Sequence, residues 1–251
     1  MAAVEFVGTE VIAFSLNRNL KGRVYLRDSK VLGSANLAVG DIVEVKLITK
    51  SRMGFVGELI DKIKGHSVAD LAIQTTLRNL DIPNSWPADV KQMVEGFAQA
   101  IPPQEYLTRL DLTPLPFITI DGETAKDFDD AVYAEPFKDG GWRILIAIAD
   151  VGHYVNDGSP IDIEARNRGT SVYFPEFVVP MLPEQLSNDR CSLVPGEDRL
   201  AIVCEVFLYP GHSEPHFQFH QAVIRSKART TYHQVEEYYS CLLYTSDAAD
   251  E

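Results

Sequence analysis

The sequence predicts a mixed α+β protein: a small β-barrel, a short helical linker and a larger sheet-based domain. Three observations carry that expectation. Residues 1–64 break into short apolar runs separated by turn signals. Residues 66–105 place apolar side chains at helical spacing between prolines. From residue 110 onward strand-like runs return, and Ile144-Leu-Ile-Ala-Ile-Ala149 is apolar on both faces, as a buried strand is.

The barrel runs are Val11-Ile-Ala-Phe14, Gly22-Arg-Val-Tyr-Leu26, Val31-Leu32, Asp41-Ile-Val-Glu-Val-Lys-Leu-Ile48 and Gly54-Phe-Val-Gly57. Gly40-Asp41 before an alternating stretch marks a strand start. Arg23, Tyr25 and Arg27 alternate, so an extended strand puts them on one face. That pattern resembles a strand of an oligonucleotide-binding (OB-like) barrel, where aromatics stack on bases and Arg tracks phosphates. A solvated strand face accounts for it equally well.

In the linker, Ser67 with Asp70 reads as a capping box before Val68, Leu71, Ala72 and Leu77. Pro83 and Pro87 interrupt the pattern. Pro87 suits a helix start, followed by Val90, Met93, Val94 and Phe97, and Pro102-Pro103 ends that helix. Two linker helices are therefore expected. Beyond them, Leu200–Leu208 and His216–Ile224 read as strands and Pro160–Arg168 as a short helix. His212, His216 and His220 are spaced by four, but Pro215 and the alternating Phe217 and Phe219 make this a strand rather than a helical metal site.

Composition excludes several classes. The 251 residues are 45% hydrophobic and 24% charged, which argues against disorder, collagen-like repeats and a disulfide scaffold. No run of about 18 apolar residues offers a membrane span, and no basic segment with an apolar run opens the chain as a secretory signal would. Cys191, Cys204 and Cys241 form no C-x-x-C pair, so a thiolate zinc site is not expected and a reducing, cytoplasmic setting is. The net charge of −13 is uneven. Residues 1–65 carry ten Lys and Arg against seven Asp and Glu, whereas residues 66–240 carry thirteen against twenty-six. A mildly basic module precedes an acidic one, and acidic domains use carboxylates to hold metal ions.

The chemistry gathers at residues 118–131. Asp121, Asp127, Asp129 and Asp130 fall within ten positions, Asp121 ending one apolar run and the others opening the next. Converging carboxylates repel unless a cation neutralises them. Oxygen ligands without His or Cys suit Mg²⁺ or Mn²⁺, the ions that phosphodiester cleavage uses. An EF-hand fails, because counting from Asp127 puts Val132 at the sixth position and Lys138 at the twelfth. From the cluster alone, a metal site and a solvated acidic turn stand level.

The segment Thr119-Ile-Asp-Gly-Glu-Thr-Ala-Lys-Asp-Phe-Asp-Asp-Ala131 resembles the signature of the ribonuclease II/ribonuclease R (RNB) family. Further blocks agree in order: Ala147-Ile-Ala-Asp-Val151, Glu164–Pro175, Pro180-Met-Leu-Pro183, Leu186-Ser187, Cys191-Ser-Leu193 and Arg225-Ser-Lys-Ala-Arg-Thr-Thr-Tyr232. The resemblance is dense from about residue 107 to 240. It implies a cold-shock barrel at 1–65, a helical linker at 66–106 and the front half of an RNB-type α+β catalytic domain at 107–240. The activity implied is processive 3′→5′ hydrolysis of single-stranded RNA to nucleoside 5′-monophosphates with Mg²⁺ (or Mn²⁺), by a monomer needing no small-molecule cofactor.

Carried over by position, Asp121, Asp127, Asp129 and Asp130 surround the metals. Tyr173 touches bases in the channel, and Tyr232 lies near the terminal nucleotide and scissile phosphate. Arg225, Lys227 and Arg229 alternate and track phosphate or face solvent; Arg166 and Arg168 contact RNA or pair with Asp162 and Glu164. The later half of the family's catalytic domain is missing, so the chain is expected to be inactive by itself and to expose apolar surface. A non-catalytic RNA-binding protein of the same fold is the alternative. Residues 241–251, Cys-Leu-Leu-Tyr-Thr-Ser-Asp-Ala-Ala-Asp-Glu, match a translated transposase sequencing adapter and are read as adapter read-through.

Overall fold

The computed structural model describes residues 1–247, apart from 8–9, 18–19, 28–35, 98–99, 176 and 213, with side chains as far as residue 241. The Val31-Leu32 run lies outside the described residues. The chain forms two compact units, Met1–Ser85 with Tyr173–Val179, and Trp86–Val172 with the remainder from Pro180.

In the first unit, β1 (Ala2–Val7), β2 (Glu10–Ser15), β3 (Arg23–Leu26), β4 (Ile42–Ser51) and β5 (Gly54–Lys62) close a barrel in the order β1-β2-β3-β5-β4. Alternation turns Ala2, Val4, Ala13, Val24, Val43 and Leu59 inward. The β4–β5 turn needs Gly54: its φ is +142°, and a Cβ there would collide with the Arg23 carbonyl. Helix α1 (Val68–Asn79) follows the expected cap, with Ser67 Oγ accepting from Asp70 N (3.1 Å) and Asp70 Oδ2 accepting from His66 N (3.0 Å). Arg78 on this helix pairs with Glu44 of β4 at 3.4 Å.

The second unit opens with α2 (Ala88–Glu95), which starts after Pro87 and buries Val90 and Val94. The helix expected to run to Pro102-Pro103 stops earlier, at Glu95, so the proline pair does not end it. The pair instead starts another, α3 (Pro103–Thr108), because proline is preorganised for a first helical turn. Strands β6 (Leu110–Asp111), β7 (Phe117–Asp121), β8 (Asp130–Phe137) and β9 (Gly141–Ala149) follow, then the short α4 (Val151–Tyr154) and α5 (Pro160–Arg168). Strands β10 (Val172–Phe174) and β11 (Phe177–Val179) pair as a two-stranded sheet. Strands β12 (Asp198–Leu208) and β13 (His216–Thr231) and the helix α6 (Tyr232–Asp247) complete the order.

The main sheet runs β12-β9-β8-β7-β13-β6, and β12 also pairs with β13. The 16-residue β13 makes this possible. Its first part runs antiparallel to β12 from His216 to Arg225, and after an irregularity at Ser226 its end runs parallel to β7. One face carries Phe117, Leu145, Ala147, Val203 and Ile224 into a core shared with Val90, Val94 and Ile161 of the helices. The other face leaves Trp142, Ile146, Ile148, Phe217 and Phe219 exposed. Cys204 of β12 stands opposite both Ile146 and Phe219, so these side chains share one apolar surface. Among the described residues, no helix is long and apolar enough to cross a membrane.

Candidate metal centre

Strand register brings the acidic residues to one end of the sheet. Asp121 is the last residue of β7 and pairs with Thr231, the last of β13. Asp130 is the first residue of β8 and pairs with Ile148 of β9. Strands β7 and β8 are antiparallel neighbours joined through Ile118 and Val132, so Asp121 and Asp130 emerge side by side. Asp127 and Asp129 lie in the irregular loop between them, and the Asp129 carbonyl accepts from Ala149 N at 2.9 Å. Tyr232 follows Thr231 directly, so the register also delivers its ring, 64% exposed, to this end of the sheet.

The carboxylates feel one another. Burial raises the Asp121 pKa, the charges of Asp130 and Asp127 raise it further, and Arg229 opposes them. Asp129 keeps an exposed side, yet the chain packed around it raises its pKa, followed by the charges of Asp127, Asp130 and Asp121. Asp121 Oδ2 is buried and has no hydrogen-bond partner, as is Thr119 Oγ1 two residues earlier on the same face. Among the described residues, no three His, Cys, Asp or Glu side chains are gathered as ligands of one ion. The four aspartates are close enough to repel but not drawn onto a common point. Their donor atoms are all hard oxygens, one of them orphaned, and a hard divalent cation fits that set. Cys191 is no ligand: burial, then the charges of Asp129 and Asp150, push its thiol up to about 12.

The loop is held from two sides. Arg229 Nη2 donates to the carbonyls of Gly122 (3.0 Å) and Glu123, and its guanidinium lies 5.2 Å from the Phe128 ring centroid. On the other side Ser192 Oγ accepts from Phe128 N (3.0 Å) and donates to Lys126 O (2.9 Å). Sequence reasoning gave Ser192 no role, although the Cys191-Ser-Leu193 block had already drawn notice to it.

The three alternating cations of β13 part company. Arg225 pairs with Asp198 at 2.7 Å, and Tyr106 OH donates to the other oxygen of that carboxylate. Lys227 Nζ donates to Thr113 O at 2.9 Å, and only Arg229 reaches the acidic loop. Arg166 pairs with Asp162 (2.9 Å) and Arg168 with Glu164 (2.8 Å). Asp150 is engaged by Arg109, at 2.7 Å. The remaining sequence-derived candidates lie in the first unit. Arg23 and Tyr25 share the side of β3 opposite the buried Val24, with Arg23 5.8 Å from the Phe14 ring. Tyr173 projects from β10 and is 68% exposed.

Comparison with known proteins extends this picture. The RNB domain matches residues 109–248. Ribonuclease R of Escherichia coli (strain K12) is 46% identical over 199 residues, which cover 78% of this chain and 24% of that protein. Ribonuclease R of Mycoplasma genitalium in complex with double-stranded RNA aligns with a TM-score of 0.81 at 29% identity, over 95% of this chain and 42% of that one. The same enzyme with ribose-methylated single-stranded RNA gives 0.62 at 25% identity, over 96% of this chain and 49% of that one. The chain thus spans about a quarter of the length of the curated relatives it matches. With the acidic strand ends, the ordered motif blocks and the fold in agreement, the chain belongs to the RNB family.

Proposed function

We propose that this chain is the barrel and forward catalytic portion of a 3′→5′ exoribonuclease that hydrolyses single-stranded RNA processively to nucleoside 5′-monophosphates. The observation that carries the reading is the charge cluster. Four aspartates gather at one sheet end, close enough to repel, with an orphaned buried oxygen among them and an exposed tyrosine beside them. Asp121, Asp127, Asp129 and Asp130 would hold Mg²⁺, or Mn²⁺. When bound, such a cation lowers the pKa of an attacking water and stabilises charge on the phosphate.

The chain's own residues do the rest. The Tyr232 ring stacks on the terminal base, a sequence-tolerant contact worth about 1–3 kcal/mol. Tyr173, and Arg23 and Tyr25 of the 1–65 barrel, take bases and phosphates further along the strand. Arg225 and Lys227 add positive charge on β13 but give up their present partners to meet a phosphate. The 66–106 helices link the barrel to the 107–240 catalytic portion. The protein works as a monomer in the cytoplasm, in keeping with the free thiols of Cys191 and Cys204. The 251-residue chain alone cleaves little or nothing, because it spans so small a share of its relatives.

The test digests 5′-labelled and 3′-labelled single-stranded RNA with the product of the full parent gene, with and without Mg²⁺. Metal-dependent release of 5′-monophosphates from the 3′ end, abolished by Asp129→Asn, is expected. RNA bound tightly without cleavage would replace this reading with a non-catalytic RNA-binding role.

A further inference from the structure

The loop 122–129 has no regular secondary structure, so no strand ladder or helix fixes where Asp127 and Asp129 point. Arg229 holds the start of the loop, at Gly122 and Glu123, and Ser192 holds the part that carries Asp127. Ser192 is fully buried. Its hydroxyl uses both of its capacities on the loop, donating to Lys126 O at 2.9 Å and accepting from Phe128 N at 3.0 Å. Those two backbone groups flank Asp127, so one oxygen grips the chain on either side of that carboxylate. A third bond, Leu193 N to Phe128 O at 2.9 Å, fixes the next peptide, and the Phe128 side chain is buried in the core. Ser192 is itself held, since Arg199 Nε donates to its carbonyl (2.9 Å) and to that of Asp189 (3.1 Å).

Resting on the metal reading above, we propose that Ser192 is a positioning residue for the acidic centre, setting Asp127 and, through Phe128, Asp129 in the arrangement that takes up a divalent cation. The hydroxyl lies more than sixty residues in sequence from the loop it grips. A polar group buried in this way persists where its bonds specify a geometry. Partners that orient ligands in this way cost about 10- to 100-fold in metal affinity when removed.

The test is Mn²⁺ binding to the whole 251-residue chain, followed by electron paramagnetic resonance of the free ion, with thermal unfolding recorded alongside. Four proteins are compared: the parent, Ser192→Ala, Ser192→Thr and Ser192→Val. Thr and Val share a shape and differ by the hydroxyl, so that pair separates the hydrogen bonds from any crowding by the added methyl, even if Ser192→Ala folds badly. Loss of about tenfold in Mn²⁺ affinity in Ala against Ser and in Val against Thr is expected. A merely structural serine would move the unfolding midpoint and leave the affinity of folded molecules unchanged, and that result overturns the proposal. A folded parent chain that holds no Mn²⁺ overturns the metal reading instead, and this inference with it.

Discussion

The barrel and the sheet domain keep their aromatic rings in different places. In the barrel, the buried residues are aliphatic, with Ile12 and Leu59 the largest of those described, while Phe6 and Phe14 stay exposed. In the sheet domain Phe117 and Phe128 are buried, helices cover one sheet face, and ion pairs are drawn inward, as with Glu205 between Arg143 (2.6 Å) and His220 (2.8 Å). A small domain buries proportionally less apolar surface and is correspondingly marginal. Phe6 and Phe14 of the barrel lie at its surface, whereas Phe128 of the sheet domain is buried where it anchors the acidic loop.

That contrast can be broken residue by residue. Both tryptophans, Trp86 and Trp142, lie in the sheet domain, so their fluorescence follows its unfolding alone. Phe117→Ala empties the largest fully buried site and is expected to destabilise this unit by about 4 kcal/mol, read as an earlier urea midpoint in tryptophan emission. Leu59→Ala should cost the barrel about 3 kcal/mol, enough to unfold so thinly cored a unit. Circular dichroism would then fall while tryptophan emission keeps its parent midpoint; a joint shift would mean that the units unfold together.

Acid gives a third, smaller effect. Burial by itself would raise the Glu205 pKa, but hydrogen bonds from Gln218, Arg143 and His220 and the Arg143 charge together hold it below its ordinary 4.5. Because the folded value is depressed, the stabilisation is complete above the unfolded value and is lost as pH falls through the folded one. That stabilisation should disappear from the sheet domain as pH falls below 4.5, read as a falling urea midpoint, and Glu205→Gln should flatten that part of the profile. The smallest effect runs the other way. Asp129 is raised, so its charged form is disfavoured in the fold, and Asp129→Asn should slightly stabilise the sheet domain at pH 7, read as a small rise in the urea midpoint, with solvent screening keeping the gain small.

Much of this could be read in advance because local rules and tertiary packing agree. The Ser67–Asp70 cap, the start at Pro87 and the helix Pro160–Arg168 are all set by neighbours in sequence. The runs at 41–48 and 144–149 do form strands, but the second is not buried on both faces as its apolar pattern predicts: Leu145, Ala147 and Ala149 turn inward while Ile146 and Ile148 stay exposed. The sequence misled at Pro102-Pro103, which reads as the end of a helix but instead opens the next one, the earlier helix having stopped at Glu95. Arg225, Lys227 and Arg229 were grouped by alternation, and the irregularity at Ser226 with three separate partners undid that grouping. Ser192 was out of reach because nothing in a serine's neighbours shows that its hydroxyl will meet a loop more than sixty residues away.

The parallel pairing of β7 with β13 also dictates an order of assembly. Thr230 Oγ1 donates to the Thr119 carbonyl across 111 residues of chain, and Arg229 reaches Gly122 across 107. Contacts that close such long loops are slow to form, and domains emerge from synthesis N-terminus first. The β4–β5 hairpin of the barrel can fold as soon as it is made. The hold of Arg229 on the acidic loop must wait until the last strand of the sheet arrives, so the loop is fixed later than the β7–β8 pair that carries it.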